Sequence, residues 1–438
     1  MGQMKKKLLA KASLLKWKWT EQSDESVSHL FYLDDMEILF QDKFPFKIKN
    51  PYLVYLLALP KILNTCLFSE PRTIELPGQF KYLVKEEWFA KTIRQVYNYS
   101  ILFGARPEYP QLKISSGQAI KKIWMNTNTK NNQLLSLLSF GKDSLLNTIL
   151  AKTIGYNVSF LTCRDELFGE EYHEQLELKM FQQRQKAVKY ITQKYGLKGY
   201  FFSTKLYYIP LCDKYNYLEN VPALNVLNAY VGALPFCEEY GYGTISAGND
   251  YACNLDVYRR LGVTLHYNLG KTVWFMRLFR RFLRSLNPNL RLFSFVEPFV
   301  DWETQVLLAT IDPEVIPFQT SCDDALCNNC EKCLMMWLVF KILGYDFKLN
   351  GLKEMTREQM EKILTDSPIS VLAGVAWCLK YLNLLNSKKI RLFSDLYNFS
   401  TINARIEKCG LPLKTKAAIL NIVQTIRLRN CFIPSSLN

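Results

Sequence analysis

The sequence predicts an α/β fold: a parallel five-stranded sheet core with an N-terminal α+β domain before it and a helical C-terminal extension after it. Three observations predict this. Apolar runs of strand length alternate with helical stretches from residue 133 onward, the polar run Asn126 to Asn132 has linker composition just before them, and beyond residue 345 only helical periodicity is left. At 438 residues the chain exceeds what one hydrophobic core usually serves, so two or three domains are expected, at 1–125, 133–345 and 346–438.

In the first region, short apolar stretches end in turn chemistry, as in Leu30 to Leu33 before Asp34-Asp35 and Ile74 to Leu76 before Pro77-Gly78. Helices are expected around 51–66 and 85–102, and the basic start as an amphipathic strand or helix. The regular region opens with Leu134 to Leu138 as a buried strand and Leu145 to Ile154 as a helix closed by Gly155. Asn157 to Thr162, Gly199 to Ser203, Gly243 to Ala247 and Leu290 to Val296 supply the other four strands, with helices at 170–195 and 222–240. Right-handed crossovers between such units give a parallel sheet covered on both faces. Ligands in such sheets bind beyond the carboxyl ends of the strands. The extension reads as helices around 356–365, 369–385 and 412–427.

Composition narrows the partners. The 55 Lys and Arg against 40 Asp and Glu leave a net charge of +15, which favours nucleotides, nucleic acid or acidic proteins. With 49% hydrophobic and 14% aromatic residues the chain packs rather than stays disordered. No apolar run approaches the roughly 18 residues a membrane span needs, so no membrane partner is expected. Four of the 12 cysteines fall within Cys322 to Cys333, which is metal spacing, and the other eight read as reduced thiols of a cytoplasmic protein.

Two motifs carry chemistry. Ser139-Phe140-Gly141-Lys142-Asp143-Ser144 follows the first strand of the regular region and opens a helix. A strand turning into a helix points backbone N–H groups and the positive end of the helix dipole at one spot, which suits phosphate. Gly141 lets the backbone approach an anion, Ser139 and Ser144 add hydroxyls, Lys142 adds charge, and Asp143 caps the helix or holds Mg²⁺. The first Gly of a Walker A loop is missing at its spacing. The second motif, Cys322, Cys327, Cys330 and Cys333 in the pattern C-x4-C-x2-C-x2-C, offers four thiolates to a closed, structural Zn²⁺ site. An iron–sulfur cluster also uses four cysteines.

The loop resembles the Ser-Gly-Gly-x-Asp-Ser loop of the N-type ATP pyrophosphatases, the PP-loop family, with Phe140 where the first Gly is usual. The cysteine cluster after Thr320-Ser321, the helix beginning Pro222-Ala-Leu-Asn225, the Gly248-Asn249-Asp250-Tyr251 segment and Pro298 are together similar to the 7-cyano-7-deazaguanine synthase (QueC) family. The likeness covers residues 133–345. It implies a Rossmann-like (HUP/PP-loop) core with a zinc-binding loop, and an enzyme that splits ATP between the α and β phosphates. Pyrophosphate would stay in the Ser139 to Ser144 loop, with Lys142 and Asp143 catalytic, and adenine would lie against Leu161, Thr162 and Cys163. Asn249 and Asp250 would recognise a purine-like acid such as 7-carboxy-7-deazaguanine, whose adenylated carboxylate becomes an amide or nitrile. The length suggests a specialised form of the kind found in bacterial anti-phage (Qat-type) operons, where a partner protein could supply the accepting amine. The alternatives are a tRNA-modifying PP-loop enzyme, which the positive charge favours, and a nucleotide-binding defence subunit without catalysis.

Overall fold

The structure, a computed structural model, describes residues 11–103, 106–125, 132–167, 171–206, 225–254, 257–260, 262–266, 268–319, 327–346, 352–366 and 402–430. It is a mixed α/β structure built on one largely parallel sheet, in general outline Rossmann-like. The expected helix over 369–385 lies outside the described residues.

The chain begins with a meander of β1 (Leu14–Gln22), β2 (Ser26–Leu33) and β3 (Met36–Lys43). The β2–β3 turn forms at Asp34-Asp35. Asp34 adopts φ 54°, and its carboxylate accepts the backbone N–H groups of Ser13 and Leu14 at 2.8 and 2.9 Å. Helices α1 (Pro51–Leu56) and α2 (Ala58–Ser69) follow, then β4 (Thr73–Leu76), α3 (Glu87–Asn98) and β5 (Gln111–Ile114). Pro51 starts α1 where its missing N–H costs nothing, and Asn50 caps that end by accepting the Tyr52 N–H.

The alternating region supplies β6 (Gln133–Leu137), α4 (Lys142–Thr153), β7 (Asn157–Leu167), α5 (Glu171–Tyr195) and β8 (Lys198–Leu206). It continues with α6 (Asn225–Tyr240), β9 (Thr244–Ala247) and a hairpin of β10 (Val257–Arg260) and β11 (Val263–His266). Then come α7 (Val273–Leu286), β12 (Arg291–Phe293), α8 (Asp301–Ile311) and α9 (Glu331–Leu343). The C-terminal part holds α10 (Arg357–Asp366), α11 (Ile402–Lys408) and α12 (Leu413–Asn430).

The sheet order is β12-β9-β6-β7-β8-β3-β2-β1-β4-β5, so it has ten strands where the sequence predicted five. The predicted strands pair in parallel on one side, and the difference arises at β8, whose free edge takes β3 antiparallel with Asp42 opposite Thr204. A period of two then sorts side chains to the two faces. Leu134, Val158 and Phe160 point to one core with α4, α8 and α9. Leu135, Leu137, Leu161 and Ile245 point to the other, which α6 and α7 share with α1, α2 and α3 of the first region. Trp88 of α3, for example, meets the Phe279 and Phe282 rings of α7 at 5.5 and 5.7 Å. Among the described residues no helix is long and apolar enough to cross a membrane.

The strand order reverses at β6, which has β7 on one side and β9 on the other. The carboxyl end of β6 therefore borders the crevice where parallel sheets receive ligands.

Candidate functional site

The loop between β6 and α4 lies at that crevice. Leu138 donates its N–H to the Leu161 carbonyl at 2.9 Å, carrying β6 pairing to the edge of the loop. Phe140 then turns the chain with φ 63°, a left-handed backbone that favours glycine. Its ring is fully buried under the loop and meets the Phe160 ring edge-on at 6.3 Å. Gly141 is extended, with φ −71° and ψ 161°, and stands at the N-cap of α4 without a capping side chain. The first-turn N–H groups of α4 have no carbonyl to bond within the helix. Ser144 stabilises the loop itself. Its hydroxyl donates to the Gly141 carbonyl at 3.0 Å, accepts the Ser139 N–H at 3.2 Å and lies 3.2 Å from the Ser139 hydroxyl.

Three carboxylates converge beside the loop. Asp143 comes from the start of α4, Asp250 from the segment after β9, and Asp301 from the start of α8, with one oxygen of each within 4.8 Å of the others. Lys142 joins them, its ammonium 2.8 Å from Asp143 and 2.5 Å from Asp301. Burial works against the Lys142 charge, but Asp143, Asp301 and Asp250 outweigh it and hold its pKa well above the usual lysine range. Asp250 is 3% exposed, and burial followed by the charges of Asp143 and Asp301 pushes its pKa well above the carboxylate range. Burial also opposes the charge of Asp301, yet Lys142 and a hydrogen bond from Asp250 keep that pKa low. Burial and the neighbouring charges thus favour the protonated form of Asp250, and the lysine favours the charged form of Asp301.

Gly248 lets these pieces meet. A Cβ there would lie 2.5 Å from the Ser144 nitrogen and 2.6 Å from the Asp143 carbonyl carbon, so only glycine lets the β9 end approach the start of α4.

The remaining predicted residues divide. Leu161 and Thr162 are buried midway along β7, level with the end of β6, and the Thr162 hydroxyl donates to the Leu138 carbonyl at 3.0 Å. Cys163 follows them, half-buried, with its side chain against the apolar core. The Asn249 amide nitrogen donates inward, to the Tyr230 hydroxyl at 2.5 Å, and its backbone is bracketed by Ser294. Asp250 thus faces the site while Asn249 secures the turn. Asp301 was not singled out in the sequence; its signal was an acidic residue starting a helix just past the carboxyl end of a parallel strand. Of the basic cluster at Arg277, Arg280, Arg281 and Arg284, Arg280 anchors the Leu292 carbonyl and Glu297, and the other three are exposed.

The cysteines form a second centre. Cys327, Cys330 and Cys333 place their sulfurs within 4.8 Å of one another, and Cys327 and Cys333 are 4.0 Å apart. Thiolates on one tetrahedral zinc at about 2.3 Å stand about 3.8 Å apart, so the donor set fits that metal. Asn328, at φ 57°, bends the chain between the first two, and the Asn329 N–H donates to the Cys327 sulfur at 3.3 Å. Cys322 lies outside the described residues. A cavity of about 640 Å³ lined by Trp17, Lys18, Trp19, Tyr55, Glu75 and Lys113 contains none of the predicted site residues.

Fold and site together define an α/β protein with a helix N-terminus, a lysine and three carboxylates at the switch point of a largely parallel sheet. No protein-family model and no curated protein sequence matches the chain.

Proposed function

We propose that the chain is an ATP pyrophosphatase of the PP-loop kind that activates a carboxylate. The observation that carries this reading is the meeting of the α4 N-terminus, Lys142 and the Asp143, Asp250 and Asp301 carboxylates at the carboxyl ends of β6 and β9. Helix N–H groups and a lysine suit the leaving pyrophosphate. Two oxygens on one Mg²⁺ at about 2.1 Å stand at most about 4.2 Å apart, so the acidic trio fits that ion after a small inward shift. Bound there, Mg²⁺ would supply charge neutralisation for the triphosphate.

In this reading a substrate carboxylate oxygen attacks the α-phosphorus of ATP, the bond to the β-phosphate oxygen breaks, and pyrophosphate leaves. Ammonia or an amine then attacks the acyl carbon, AMP departs, and an amide is formed. The purine-like acid, 7-carboxy-7-deazaguanine first among candidates, rests on the resemblance of residues 133–345, as do a defence setting and a protein amine as acceptor. A structural zinc at Cys322, Cys327, Cys330 and Cys333 is supported by the spacing of the three described sulfurs.

The test is incubation of the protein with ATP, Mg²⁺ and 7-carboxy-7-deazaguanine. AMP and pyrophosphate are expected in equal amounts, with Asp143→Ala inactive; ADP and phosphate, or no turnover, would reject the reading. Metal analysis of the same preparation should find one zinc per chain, lost in Cys330→Ser.

A further inference from the structure

The C-terminal helices reach the acidic trio through one arginine. Arg405 of α11 is 6% exposed and donates from Nη2 to Glu303 Oε1 at 2.7 Å. Its guanidinium also lies over the Tyr251 ring, 5.6 Å from the centroid. Glu303 sits two residues after Asp301 and Tyr251 one after Asp250, so a single side chain grips both acid-bearing segments.

Each contact fixes something specific. The other Glu303 oxygen accepts the Val300 N–H at 3.0 Å, which closes the first turn of α8 and sets where Asp301 begins it. Tyr251 donates its N–H to the Phe299 carbonyl at 2.7 Å, tying the Asp250 segment to the same connection. A second clamp holds α11 in place, because Glu297 accepts both Arg280 at 3.1 Å and the Gly410 N–H at 3.0 Å. A Cβ at Gly410 would be 2.4 Å from Arg280 Nη1, so a larger residue there would displace that guanidinium. Behind these polar contacts Ile402, Ile406 and Leu411 pack into the core that also holds Leu145 of α4.

We infer that Arg405 is a positioning residue that sets the spacing of Asp250 and Asp301 for a divalent cation, making the C-terminal helices part of the catalytic unit. This rests on the reading of Asp143, Asp250 and Asp301 as the magnesium-holding carboxylates. Side chains that orient metal-holding groups from behind commonly change affinity by about 10–100-fold when replaced.

The experiment measures binding of Mn²⁺ alone to the full chain by electron paramagnetic resonance. Wild type should bind one ion and Asp143→Asn should lose it. Because a lone Arg405 change leaves Glu303 buried without its cation, the decisive variant is the double Arg405→Met, Glu303→Gln, which keeps volume and an acceptor for Val300. We expect it to melt as one cooperative unit and to bind Mn²⁺ about tenfold or more weakly, with Arg405→Lys in between. Wild-type affinity in the folded double variant would overturn the role of Arg405 and leave the acidic site standing. No Mn²⁺ binding by wild type would overturn the acidic site itself, and this inference with it.

Discussion

Phe140 departs from the loop pattern at a single residue, and burial of its ring accommodates the departure. A non-glycine at φ 63° costs about 1–2 kcal/mol, and full burial of its ring stabilises by about 1.5–3 kcal/mol, so the two offset. The sequence pointed to a misfit there, and the ring under the loop is its physical resolution. His29 carries a different signature. It is fully buried on β2 with its Nδ1 2.9 Å from the Thr20 hydroxyl, and burial, with Lys61 nearby, lowers its pKa to about 3. The unfolded chain takes up that proton near pH 6.5, so His29 favours the fold fully above that pH. Its contribution falls as pH drops from about 6.5 toward 3, at about 1.4 kcal/mol per pH unit. Urea melts of wild type and His29→Asn between pH 7 and 4 should show the shallower loss in the variant; equal slopes would refute the assignment.

At the level of elements, Gly248 decides how closely β9 and α4 approach. In Gly248→Ala the added Cβ would press on the Asp143 and Ser144 backbone at 2.5–2.6 Å, and the start of α4 must give way. We expect a stability loss of about 1–3 kcal/mol in denaturant and ATP binding weakened at least tenfold by calorimetry. Unchanged affinity would separate Gly248 from the site. The elements themselves were largely legible, because short strand runs such as β6, buried along nearly its whole length, alternate with longer helical stretches such as α4. The loop and the cysteine cluster stood out because each gathers its polar or sulfur-bearing residues in a short span of sequence. Asp301 did not, since it meets Asp143 across 158 residues through the β12–α8 connection, and the β10–β11 hairpin falls between the expected strands at 243–247 and 290–296, where no strand was expected. Asn249 illustrates the reverse case, a polar residue at a strand end whose partners, Tyr230 and Met276, are interior.

For the whole molecule the question is whether the first region stands apart from the alternating α/β region. The β3–β8 pairing runs one sheet through both, and Lys61 bolts the joint. Fully buried on α2, it donates to Asp42 of β3 at 2.9 Å, to Thr204 of β8 at 3.0 Å and to Asn228 of α6 at 3.0 Å, and Thr204 donates to Asp42 as well. Removing one member of such a pair leaves a charge with no water and no counter-ion, at a cost of about 3–5 kcal/mol, whereas removing both charges together is far milder. Lys61→Met should therefore lose about 3–5 kcal/mol, and Lys61→Met combined with Asp42→Leu should recover most of it. Because the cation ties four elements from both regions, the loss should appear as one transition shifted to lower denaturant, with tryptophan fluorescence and circular dichroism coincident. Two separated transitions, one of them at the wild-type midpoint, would mean that the sheet joins two independently folding units and that Lys61 stabilises only the first.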